Sequence, residues 1–323
     1  MRHPRGLALL AALTFARALA ARPVGAEAPF RRPHMHRPGH GCQIAVGPVT
    51  VPRGTELTEC TYVKFPGKRD MAVNRVRIKV SGGSHHVHLY RPADPTLDKP
   101  DGAELCNFAL DFSVWQLILA TQELNLDWKL PPGVAFHFRA GEQLAAQTHF
   151  VDNGLLRTPS GRGWALFNLY SMPRRKLTSY AGAFFGQDRD VVVPPHATST
   201  ATTRCVFPKP VRLLALTGHY HYRGVEFTAG TWDGTSGVQL YDQHGYLDPP
   251  FLRYSALDAP TVSGLQWQCT YDNPTDQTFT FGPFTEENEH CNLFAFYYPT
   301  TTPDEFTTCV QKDGVVTTTV RGG

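Results

Sequence analysis

From residue 44 onward the apolar positions come in short alternating runs, and no stretch sustains a helical period. Val, Ile, Thr, Phe and Tyr fill these runs, and Gly, Pro, Asn and Asp separate them, which is the patterning of strands and turns. In the first half, residues 44–51, 59–64, 74–80, 86–90, 134–139, 143–152, 163–170 and 180–185 read as strands, with 107–111 a weaker candidate. Residues 113–119 are apolar at most positions and read as a strand or a helical turn. The second half repeats the style at 190–193, 202–207, 211–216, 225–231, 238–242, 265–271, 277–281, 293–298, 306–311 and 315–320. Met172-Pro173-Arg174-Arg175-Lys176 is charged, proline-broken and without periodicity, so it reads as a linker. The expectation is an all-β chain of two tandem antiparallel β-sandwiches, spanning residues 42–173 and 174–320.

The remaining N-terminal residues change the picture of where the chain works. A basic start at Arg2 and Arg5, an apolar run over 6–15 and the small-x-small site Ala26-Glu27-Ala28 predict an export signal over 1–28. Residues 29–41 lack apolar periodicity and are expected to be a disordered leader. No run approaches the ~20 apolar residues of a membrane span. A secreted or periplasmic location follows, and it fits the seven cysteines, which imply disulfides plus one leftover. Domain order puts Cys60 with Cys106 and pairs Cys205, Cys269, Cys291 and Cys309 among themselves, with Cys42 the odd one. Net charge is only +3, and no basic stripe interleaves with aromatics, which argues against a nucleic-acid partner.

The candidate chemistry lies in histidines. His219 and His221 sit at the end of a β-prone run, and on a strand they face the same way. Gly82-Gly83 precede His85, His86 and His88. His85 and His86 can share an ion only at a bulge or strand end; otherwise His86 and His88 form the same-face pair. His149 lies in a further strand, and His290 precedes Cys291. Each half can thus offer three imidazoles, as a zinc or copper site with an open position requires. His137, His196 and His244 lie near aromatic or proline-rich turns and read as structural or solvent-facing.

In order along the chain, these segments resemble the type II copper, ascorbate-dependent monooxygenases. His85-His86 is similar to the family's His-His motif, and Leu130 to Phe136 followed by Gln147-Thr148-His149 resembles its L-P-x-G-V-x-F and Q-x-H segments. Val192-Val193-Pro194-Pro195, His219-Tyr220-His221 and Glu289-His290-Cys291-Asn292-Leu293-Phe294 resemble its V-I-P-P, H-x-H and E-M-C-N-L-Y segments. The resemblance runs from Cys60 to Tyr298. It implies jelly-roll-like sandwiches facing each other across a wet cleft, with one copper ion on each. His85, His86 and His149 would hold the first ion. His219, His221 and a third ligand, at the position of His290, would hold the second. Gln147 and Asn292 are the candidate substrate-binding residues. Dioxygen, a small organic substrate and ascorbate as one-electron reductant are implied, and so are bridges Cys60–Cys106, Cys205–Cys309 and Cys269–Cys291.

The chain departs from the family at three places. His290 stands where the family has methionine, so a hard imidazole replaces a soft thioether. Thr217 occupies the position where peptide-amidating members carry arginine, and Phe294 replaces a tyrosine. Three functions are therefore weighed: an exported dicopper monooxygenase oxidoreductase, a non-catalytic copper carrier on the same scaffold, and a zinc hydrolase using Glu287 or Glu289 as general base.

Overall fold

The computed structural model describes residues 32–106, 111–152 and 161–322. Residues 1–28, read above as an export signal, lie outside the described residues, as does most of the weak strand candidate at 107–111. Strands account for nearly every regular element, and the segment after the linker's proline forms a single 3-10 turn, Arg174–Lys176.

The first half is two facing sheets. One has six strands, in the order Gly41–Val51, Gly161–Ser171, Met71–Val80, Val134–Phe138 and Ser179–Tyr180, with Asn125–Lys129 also paired to Met71–Val80. The other has five, in the order Gly102–Leu105, Glu56–Lys64, Gln143–Val151, Ser84–Pro92 and Trp115–Thr121. The alternation noted in the sequence puts Val76, Ile78 and Phe167 of one sheet into the same core as Val87, Leu89, Leu144 and Phe150 of the other.

The second half reaches its sandwich through one nine-stranded sheet folded over its own core. The order runs Gln239–His244, Gly224–Thr231, Thr261–Asn273, Ala197–His219, Cys291–Tyr298, Gly182–Asp188, Phe306–Lys312 and Val315–Arg321, with Leu252–Arg253 against Ala197–His219. Ala197–His219 was expected as two strands broken at Pro208 and Pro210. It is one element of 23 residues whose ladder skips from Val206 to Val211, so the prolines fall where no ladder N–H is needed. Before the skip it pairs only with Thr261–Asn273, and beyond it chiefly with Cys291–Tyr298. Past that change of partner the strand ends at His219, opposite Asn292.

Three disulfides close, Cys60–Cys106, Cys205–Cys309 and Cys269–Cys291, and Cys42 keeps a free thiol that burial pushes up to about 11. Little thiolate is then present at neutral pH, so Cys42 is a poor nucleophile. Two side chains of the first sheet bond to the described part of the leader. Gln43 Nε2 donates to the Met35 carbonyl at 3.0 Å, and Asn168 Nδ2 donates to the His36 carbonyl at 2.7 Å. Both bonds are made by polar side chains to leader carbonyls.

Part of the junction between the halves is apolar. The first half's core continues into Leu214, Ala215, Phe251, Phe294, Phe296 and Phe306 of the second half. Trp128 meets Phe296 at 5.1 Å and Phe251 at 5.3 Å between ring centroids, and Phe112 meets Phe185 at 4.8 Å. Aromatic rings from both halves pack edge-to-face and tilted across this part of the junction. A buried ion cluster seals one margin. Arg91 pairs there with Asp304 and lies 3.4 Å from Glu142, while His137 Nδ1 lies 2.8 Å from Asp304. Burial lowers the Arg91 pKa to about 10, partly offset by Glu142, so the guanidinium remains charged at neutral pH.

Candidate metal centre

All six histidines singled out from the sequence, together with His88, converge where the two halves meet. The bulge anticipated after Gly82-Gly83 is present: the ladder of Ser84–Pro92 with Gln143–Val151 shifts between Ser84 and His86. Released from the alternation, His85 turns its ring to within 5.5 Å of His86, centroid to centroid. His86 and His88 do share a face, and their rings stack at 4.2 Å. His149 is the cross-strand partner of His86, and its Nδ1 lies 3.3 Å from His86 Nε2.

The second half contributes His219 at the end of its long strand, His221 just beyond it, and His290 just before Cys291–Tyr298. The His221 and His290 rings are 4.1 Å apart, and His219 lies 5.5 Å from each of them. The Cys269–Cys291 bridge anchors one side of this segment, and Tyr271 donates from its hydroxyl to the His290 carbonyl at 2.5 Å. A turn closed by the Gly224 N–H to the His221 carbonyl at 3.0 Å holds His221 in place. Its glycine is required by packing, because a Cβ there would sit 1.8 Å from a carbon of the buried Tyr220 ring. Gly224→Ala should therefore cost about 1–3 kcal/mol of stability by overpacking and weaken metal binding together with it. Urea unfolding and a metal titration of the same sample check both effects.

The halves mix closely. His85 lies 4.7 Å from His219, closer than its 5.5 Å to His86 or its 5.2 Å to His149. Ligand nitrogens of His85, His219 and His221 all lie within 4.8 Å of one another. All but the half-buried His290 are buried residues, and burial first, then mutual repulsion, holds His85, His86, His219 and His290 well below the usual histidine range. Burial likewise lowers His221 to about 4 and His88 to about 3. Neutral rings keep a lone pair for a cation.

Residues that the sequence did not single out fix the tautomers. His219 Nδ1 donates to Gln122 Oε1 at 2.9 Å, and His221 Nδ1 donates to the Asn288 carbonyl at 3.1 Å, so Nε2 carries the lone pair in each. His149 Nε2 donates to Glu56 Oε2 at 3.0 Å, leaving Nδ1 without a proton and facing His86 Nε2. Glu56 also accepts from the Thr285 N–H at 3.0 Å and from its hydroxyl at 2.9 Å. Burial raises the Glu56 carboxyl, but His149 and Thr285 outweigh it and hold the group below its usual range. An acidic residue early in a strand gives no sequence cue for this role, since its partners lie far along the chain.

Gln147 and Asn292, read as substrate-side residues, are buried beside the rings. Gln147 Oε1 accepts from His88 Nδ1 at 3.1 Å, and Asn292 Nδ2 lies 3.2 Å from His290 Nδ1. His137 belongs to the Arg91 cluster, His196 pairs with Asp276 at 2.6 Å on the surface, and His244 is exposed beside Asp242. Glu289 is buried with its oxygens turned to the His221 and Arg223 N–H groups at 3.2 and 2.9 Å, and burial raises its carboxyl to about 7. It braces the turn, and Glu287 lies exposed, so neither is aimed at the rings as a hydrolytic base.

The donor set fits a cation. His85 Nε2, His86 Nδ1 and His290 Nε2 are buried without hydrogen-bond partners. Each such atom costs about 1–3 kcal/mol unless something satisfies it. An all-imidazole set suits copper or zinc, and neutral rings need lose no proton to bind.

No curated protein matches the chain. Among solved structures, the crystal structure of the STIV MCP matches at 9% identity and TM-score 0.28, covering 80% of this chain and 96% of that one. PBCV-1 VP54, fitted into a cryo-EM reconstruction of the virophage Sputnik, matches at 9% identity and TM-score 0.26, covering 90% and 98%. Likenesses this faint carry no argument. The family comparison is specific: residues 185–318 match the copper type II ascorbate-dependent monooxygenase, C-terminal domain. That stretch holds His219, His221, His290 and the bridges Cys205–Cys309 and Cys269–Cys291. Over residues 185–318, then, the chain is similar to the C-terminal domain of the copper type II ascorbate-dependent monooxygenases.

Proposed function

We propose that the protein is an exported copper monooxygenase that hydroxylates a small organic substrate with dioxygen and a one-electron reductant of the ascorbate class. The carrying observation is the convergence of His85, His86, His149, His219, His221 and His290 on one buried cluster, in a chain whose second half matches that family. In the overall reaction one oxygen atom enters a C–H bond and the other leaves as water, with two electrons and two protons drawn from the reductant. Two copper ions held by these imidazoles would supply the one-electron redox chemistry. The chain's own residues orient the ligands: Glu56 holds His149, Gln122 holds His219, and the Asn288 carbonyl holds His221. Thr217 is buried and uncharged, so nothing there would pair a peptide carboxylate. Three disulfides fit an oxidising compartment.

The test is oxygen uptake by the copper-loaded chain with ascorbate, with and without a panel of small organic substrates. Uptake that rises with a substrate and yields its hydroxylated product is the expected result; copper binding with uptake indifferent to the whole panel would sink the proposal. A second reading, copper carriage without turnover, is favoured by the imidazole of His290 in place of a thioether. Imidazole favours Cu(II) over Cu(I), so His290→Met is expected to raise the Cu(II)/Cu(I) potential. Voltammetry of the two loaded proteins checks the direction.

A further inference from the structure

We infer that one metal ion in this cluster is ligated from both halves at once, with His85 of the first half joining His219 and His221 of the second. The inference deepens the copper reading and rests on it only for the identity of the ion. Its geometry is independent. Family resemblance groups His85 with His86 and His149, yet the ring nearest to His85 among these candidates is that of His219. The nitrogens of His85, His219 and His221 lie within 4.8 Å of one another. Metal–nitrogen bonds of about 2.0–2.1 Å in a tetrahedral site bring ligand nitrogens to roughly 3.3 Å apart, so small ring rotations close the trio on an ion.

Two further observations show a built arrangement rather than a crowded one. His85 Nε2 is buried and has no hydrogen-bond partner. The support for His219 comes from across the junction: Gln122 of the first half accepts from His219 Nδ1 at 2.9 Å and donates from Nε2 to the Gly218 carbonyl at 2.8 Å. This amide fixes both the tautomer of a second-half ligand and the position of its backbone relative to the first half. His86 and His149 stay together on the first half, with His149 held by Glu56, which itself ties the halves through Thr285. Metal binding would then clamp the two halves together.

A double-mutant cycle tests this on the full chain. Wild type, His85→Gln, His219→Gln and the double variant are titrated with Cu(II) against a competing chelator, with circular dichroism confirming the fold. If the two residues share an ion, each single variant loses affinity at the same binding event by about 100-fold or more. The double variant then loses little beyond either single. Loss of two different binding events, with additive effects in the double variant, would overturn the inference. Should a variant fail to fold, a crystal structure of the wild type with one equivalent of Zn(II) decides. An ion bonded to His85, His219 and His221 upholds the shared site; an ion bonded within one half only overturns it. Neither measurement reads turnover, so a failed oxygen-uptake assay and a failed cycle are separate outcomes.

Discussion

Arg91→Ala is expected to destabilise the protein by about 3–5 kcal/mol, the usual result of leaving buried carboxylates without their cation. Asp304 and Glu142 are nearly inaccessible, and Arg91 is the cation buried with them, while Arg139 reaches the pair only from a half-exposed position at 3.7 and 3.3 Å. The effect should exceed that of any exposed pair, such as Arg75–Asp127 at 2.7 Å, which is worth at most about 1 kcal/mol. Because Arg91 lies in the first half and Asp304 in the second, the loss should also loosen the junction. Urea unfolding gives the stability change, and hydrogen exchange on the flanking strands gives its location. A loss under 1 kcal/mol would mean that the carboxylates are satisfied without Arg91.

Acid should open the metal-free protein over a window set by its buried imidazoles. His221 is lowered to about 4 and His88 to about 3 by burial, against an ordinary value near 6.5. Between those limits the unfolded chain binds more protons than the folded one, so stability is full above pH 6.5 and falls as the pH drops. Each of these two residues removes up to about 1.4 kcal/mol per pH unit below 6.5, and His85, His86, His219 and His290 shift in the same direction. The apo protein should therefore unfold well above the pH that protonates its carboxylates. Thermal melts from pH 7 to pH 4 check this; a midpoint unchanged between pH 6.5 and pH 5 would show that the rings are already hydrated or charged when folded.

Some of this was legible in the sequence, for identifiable reasons. His219 and His221 stood out because a period of two at a strand end needs no tertiary information, and Gly82-Gly83 flagged the bulge that frees His85. The Ala197–His219 strand was misread because Pro208 and Pro210 normally end a ladder, and only the fold reveals that no partner was required there. Gln122, Glu56 and Arg91 were missed because each is a single polar residue whose partner lies about 100 or more positions away. Phe294 and Phe296 showed that a strand was apolar, but not that their outward neighbours would be rings from the other half. Patterning reports burial; it does not report against what.

That junction bears on how the chain can be divided. Cut at the 172–176 linker, each piece would present a torn aromatic face, Trp128 and Phe136 on one and Phe294, Phe296 and Phe306 on the other. Such fragments would stick to themselves in isolation, and co-production from two genes would rescue them where production one at a time would not.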